Sequence, residues 1–124
     1  MRFRDRFDSV VIEQLDYRRL LDLYDHTGNF IFLDPPYGIS SIKNYDGWTE
    51  ADLTEFRDRV VRLKSRWLVT LDDSRLNRAL WQGHDIDYHS TRNGAVNQAK
   101  GTQLFGELFI HCPGLRPSCK ATAK

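Results

Sequence analysis

Four consecutive residues, Asp34-Pro35-Pro36-Tyr37, stand directly after the apolar run Phe30-Ile31-Phe32-Leu33. An ionised Asp34 can only accept hydrogen bonds. Neither proline has an N–H, and Pro35 is pushed toward an extended conformation by the proline that follows it. The local carbonyls are therefore left to face a pocket as acceptors. Tyr37 adds a flat apolar face with a polar tip. Two acceptors beside an aromatic plane suit a planar base bearing an –NH2 group. One amine hydrogen goes to Asp34, the other to a proline carbonyl, and the ring stacks on Tyr37. An aromatic amine is a poor nucleophile because its lone pair is delocalised, and accepting both hydrogens favours the pyramidal, localised form. The amine can then attack a methyl sulfonium first and lose its proton afterwards. Each bond to a charged acceptor is worth about 1.5–3 kcal/mol.

The elements around this motif can be read from periodicity. Ser9 to Ile12 is short and β-branched and reads as a strand. Tyr17, Leu20, Leu21 and Tyr24 lie on one face of a helix. Thr27-Gly28-Asn29 is a turn signal. Phe30 to Leu33 fits a strand buried on both faces, and Pro35 cannot continue its ladder. Gly38 to Trp48 reads as a loop. Thr49 to Asp52 looks like a capping box opening a helix that continues through Leu53, Phe56, Val60 and Leu63. Trp67 to Leu71 is the next buried strand, and Asp72-Asp73-Ser74 starts a short helix with Leu76, Ala79 and Leu80 inside. Gly83 fits the position just past that helix. Ile86 to Ser90 and Glu107 to His111 read as two final strands. The alternation predicts an α/β fold with a parallel sheet, and the last two strands, with no helix between, predict an antiparallel hairpin. Ligands in such sheets bind just beyond the carboxyl ends of strands, where Asp34 falls.

The 124 residues make one domain, with a folded part at 1–112 and a tail at 113–124. Eighteen Lys+Arg against seventeen Asp+Glu leave a net charge of +1, so nucleic-acid binding must come from a local patch. No apolar run approaches the roughly 20 residues of a membrane span. The charged start has no apolar signal core, which predicts a cytoplasmic protein. Cys112 and Cys119 match no zinc pattern and read as reduced thiols; His26, His84, His89 and His111 are scattered, and no metal site is expected.

The Asp-Pro-Pro-Tyr segment after an apolar strand resembles motif IV of adenine-specific DNA methyltransferases, in the Dam-like, DpnM-like group. Three further segments agree in order. Val11-Ile12-Glu13-Gln14-Leu15-Asp16-Tyr17 resembles the acidic segment before motif IV. Trp67 to Ser74 resembles the next strand and turn, and Thr91-Arg92-Asn93 through Phe105 to Ile110 resembles the closing hairpin. The resemblance implies a Rossmann-like methyltransferase sheet with its last strand inserted antiparallel. It implies S-adenosylmethionine as methyl donor and an adenine flipped out of duplex DNA as substrate. Asp34, Pro35, Pro36 and Tyr37 then carry base binding and catalysis, with Asp34 also at the donor. Asp16 matches the acid that contacts the donor's adenine, and equally fits a helix cap. Arg92, Asn93 and Lys100 are phosphate-contact candidates, and Arg92 and Lys100 read equally as solvated loop charges. Tyr45 and Trp48 could lie over an extruded base, although a loop aromatic folding back on the core is the better reading.

The group's glycine-rich donor loop, F-x-G-x-G, is missing from the sequence. None of the eight glycines, at positions 28, 38, 47, 83, 94, 101, 106 and 114, forms that pattern. Relative to the family the chain resembles a C-terminal half, with the donor's methionine end left unheld. The edge of Phe30–Leu33 would then be closed by Ser9–Ile12 or by another chain, such as a separate N-terminal half. Two further readings stand beside this one: a noncatalytic remnant or interaction module, and a methyltransferase acting on RNA.

Overall fold

The computed structural model describes residues 6–37, 47–92 and 104–115. In chain order the elements are α1 (Tyr17–Tyr24), β1 (Phe30–Leu33), α2 (Glu50–Val60), β2 (Arg66–Asp72), α3 (Arg75–Leu80), β3 (Asp85–Arg92) and β4 (Leu104–His111). The strands form one mixed sheet in the order β1-β2-β4-β3. β1 pairs parallel with β2, with Leu33 beside Val69. β4 pairs antiparallel with both β2 and β3. Three strands thus run one way, and the last strand of the chain lies between two of them against their direction.

Local chemistry explains most boundaries. Asp16 caps α1 by accepting from the Arg18 N–H, and Thr49 and Asp52 close a reciprocal capping box on α2. Gly28 sits in the turn before β1 at φ +98°, a conformation that favours glycine. Asp25, the C-cap of α1, accepts from the backbone N–H groups of Lys64 and Ser65 and from the Ser65 hydroxyl. Burial alone would raise its pKa, but those donors outweigh it and hold the carboxyl below the usual range. Arg18 of α1 grips Glu55 of α2 through two bonds of 2.7 and 2.8 Å. That contact first, and Arg59 second, hold the Glu55 carboxyl down to about 2.

The core lies on one face of the sheet. Leu53, Phe56 and Val60 of α2 pack with Trp67, Val69 and Leu71 of β2 and with Leu108 and Ile110 of β4. Trp81, just past α3, is 1% exposed and sits 5.8 Å from the Trp67 ring and 6.5 Å from Phe56. Trp48 packs on Tyr17 and Phe56, so this loop aromatic does fold back on the core. Cys112 is buried with a free thiol. Cys119 lies outside the described residues. Leu115 also packs against the core, which carries the folded region through the start of the expected tail.

Two expectations need correction. Ser9 to Ile12 is not a strand: it has no regular structure, and Val11 and Ile12 are 72% and 88% exposed. A strand requires neighbours for its backbone N–H and C=O groups, and none of the sheet's ladders includes this segment. Nor is β1 buried on both faces. Its burial alternates, with Phe30 and Phe32 half exposed and Ile31 and Leu33 turned toward the core side. Phe30 and Phe32 thus lie on the face of β1 opposite Ile31 and Leu33.

Candidate functional site

β1 ends where the prolines remove its donors, and this places Asp34 one step beyond the Leu33–Val69 pair. Continuing the parallel register by one residue brings Asp34 alongside Thr70. The Thr70 hydroxyl donates to Asp34 Oδ1 at 2.8 Å. Thr70 is buried in the middle of β2, so this bond also satisfies a hydroxyl that burial would otherwise penalise. Asp34 itself is exposed, and its Oδ2 has no hydrogen bond among the described residues.

Pro35 is buried and Pro36 half-buried, which anchors the turn that follows. Tyr37 is half-buried, and its hydroxyl donates to Glu107 Oε1 at 3.1 Å. Burial first, and the bond to Glu107 second, push the Tyr37 phenol up to about 12. It therefore stays a neutral donor at ordinary pH. Asp34 and Asp72 add smaller pushes in the same direction, so three carboxylates act on this ring.

The third carboxylate ends β2. Asp72 lies directly across the ladder from Glu107. The side-chain amide of buried Asn77 donates to both the Asp72 carbonyl and its Oδ1, at 3.0 Å each. Burial raises the Asp72 pKa, against the lowering effect of Ser74 and Asn77. Among the described residues no lysine or arginine forms an ion pair with Asp34, Asp72 or Glu107. The patch is thus anionic and rich in acceptors, and it lies beyond the carboxyl ends of β1 and β2. Among the described residues no group of three or more His, Cys, Asp and Glu side chains could hold a metal ion.

The structure therefore brings Asp34, Pro35, Pro36 and Tyr37 into one place with Thr70, Asp72 and Glu107. Sequence reasoning missed the last three. Thr70 had one visible mark, a hydroxyl inside the apolar stretch Trp67 to Leu71. Glu107 and Asp72 could be found only from the strand order. Asp16 serves as the cap of α1 and pairs with Arg18 at 3.1 Å; no hydrogen bond or ion pair joins it to the motif among the described residues. Arg92 ends β3, and its side chain is outside the described set. Asn93, Lys100 and Tyr45 lie outside the described residues altogether.

Two grooves lie elsewhere. One, of about 1160 Å³, runs between α1 and α2, and its charged lining includes the mutually paired Glu55 and Arg59. The other, of about 470 Å³, lies between α1 and β1 and is mostly apolar. Neither includes Asp34 or Tyr37; the carboxylates lining the first share its wall with Arg59, Arg62 and Lys64, and the second is lined mainly by apolar side chains, so the motif is selected by acceptors that pair with no cation among the described residues, and not by size. No protein-family model matches the sequence, and no curated protein matches it either.

Proposed function

We propose that the chain carries the amine-binding part of an adenine-specific DNA methyltransferase site, within a Rossmann-like sheet. The observation that carries this reading is the pair of side chains, Asp34 and Tyr37, secured beyond the carboxyl end of a parallel strand by Thr70 and Glu107. The antiparallel insertion of β4 between β2 and β3 supports it, since the resembled family places its last strand in that way. Thr70 occupies one oxygen of Asp34 and leaves the other for an amine hydrogen. A carbonyl of Pro35 or Pro36 takes the second hydrogen, and the base stacks on Tyr37. These residues bind the amine and localise its lone pair.

S-adenosylmethionine, when bound, supplies an electrophilic methyl group to that amine. The unpaired carboxylates suit the donor's positive sulfonium. None of the eight glycines forms the F-x-G-x-G loop for its methionine end. That absence favours one second reading, a noncatalytic module that binds an exposed base without transferring methyl.

The test uses a labelled DNA duplex with a single unpaired adenine, its RNA counterpart, and both nucleic acids with the adenine base removed. Asp34→Ala is expected to weaken adenine-dependent binding by about 10–100-fold, the equivalent of one hydrogen bond to a charged acceptor. Methyl transfer from labelled donor is followed in parallel. Equal binding by wild type and variant would remove Asp34 from the site. Asp34-dependent binding without transfer would favour the noncatalytic module, and preference for the RNA would move the substrate class.

A further inference from the structure

Tyr37 lies beyond the end of β1, with two prolines between it and the strand. Its ring can turn about two side-chain torsions, so a stacking surface there needs something to fix its plane. Glu107 is well placed for that task. It belongs to β4, which is hydrogen-bonded on both sides, and it stands opposite Asp72 on one neighbour and His89 on the other. The residue before it, Gly106, accepts from the Asp73 N–H at 2.9 Å. A Cβ at Gly106 would meet the Asp73 Cβ at 2.8 Å, so β4 is seated tightly against the turn after β2. The Glu107 carboxylate is thus mounted on a strand held from both sides, and it receives the Tyr37 hydroxyl from 70 residues away.

We propose that Glu107 is a positioning residue that sets the plane of the Tyr37 ring against which the substrate base stacks. This rests on the amine-binding reading given above. Glu107 touches Tyr37 rather than the base, so its effect must pass through the ring. The alternative role for a carboxylate here is purely electrostatic, and the two roles respond differently to substitution. Glutamine keeps an acceptor oxygen and loses the charge. Leucine keeps comparable bulk and loses both. Tyr37→Phe keeps the ring and loses the bond from the other side.

The experiment uses the full chain and its Glu107→Gln, Glu107→Leu and Tyr37→Phe variants. The probe is the labelled duplex with one unpaired adenine, compared with the same duplex lacking that base. Positioning predicts that Glu107→Gln stays within about twofold of wild type in its preference for adenine. Glu107→Leu and Tyr37→Phe each lose about tenfold, the scale of one hydrogen bond. Nuclear Overhauser contacts between the Tyr37 ring and the side chain at position 107 should persist in Glu107→Gln and vanish in Glu107→Leu. Equal losses in Glu107→Gln and Glu107→Leu would show charge rather than orientation and overturn the proposal, as would a Glu107→Leu variant that binds like wild type. A wild type with no preference for adenine overturns the amine-binding reading and the stacking role with it. The ring contacts separately decide whether Glu107 orders Tyr37. Should Glu107→Leu fail to fold, Tyr37→Phe removes the same bond and decides the binding question.

Discussion

Asp72 shows most directly what the carboxylate patch demands of the fold. It is partly buried, faces Glu107 across the ladder and has only neutral donors, Ser74 and Asn77, to stabilise its charge. Its carboxyl is raised above the ordinary value because burial outweighs those donors. An acid with a raised folded pKa stabilises the fold most at pH below its unfolded value, about 3.9. That contribution is lost as pH rises through the folded value. Asp72→Asn should therefore raise the thermal midpoint at pH 7 by a few degrees at most, with the gain shrinking at pH 3. Thermal unfolding followed by circular dichroism at both pH values checks this; a lower midpoint at pH 7 would show that the charge is needed. Asp34 and Tyr37 were legible in the sequence because two prolines mark the place where a strand must stop. Asp72 and Glu107 were not, since nothing in either residue's neighbourhood announces the other 35 positions away along the chain. Only the antiparallel register makes them partners.

Helices were the easiest elements to read. The Tyr17–Tyr24 stripe and the Thr49–Asp52 box each encode a local structure that needs little help from distant residues. Strands are different, because a strand exists only where a neighbour accepts it. Val10, Val11 and Ile12 have strand-forming side chains yet no place in the sheet, and among the described residues β1 has β2 as its one ladder partner. Phe30 and Phe32 stay half exposed on one face of that edge strand. Such an edge is a template for pairing with other chains. Phe32→Lys should reduce self-association while changing stability by no more than about 0.5 kcal/mol, as expected of an exposed position. Sedimentation velocity at increasing concentration, together with urea unfolding, reads both quantities. Association unchanged by the substitution would place the sticky surface elsewhere.

The alternation of elements predicts an α/β fold with a parallel sheet closed by an antiparallel hairpin; the sheet is mixed, parallel only between β1 and β2, with the hairpin partner β4 antiparallel to both its neighbours. The alternation was not enough to reveal that burial alternates along β1, because the same apolar run can serve a strand buried on one side or on two. Among the described residues no helix is long and apolar enough to cross a membrane. The overall charge of +1 carries a consequence for nucleic-acid binding. If Arg92 and Lys100 supply the phosphate contacts, the logarithm of affinity should fall with the logarithm of salt at a slope of only about −2. Titrations between low and moderate salt measure that slope. A much steeper value would reveal further phosphate contacts beyond those two cations.

The position of β4 also sets an order of events during synthesis. It is the last in sequence among the described strands yet lies inside the sheet, between β2 and β3. A chain emerging from the ribosome can form α1, β1, α2 and β2 from contiguous sequence, with Asp34 already beside Thr70. Glu107 arrives only with residues 104–111, when β4 pairs with β2 and gives residues 85–92 their ladder partner. A nascent chain can therefore hold Asp34 beside Thr70 before Glu107 exists to receive the Tyr37 hydroxyl.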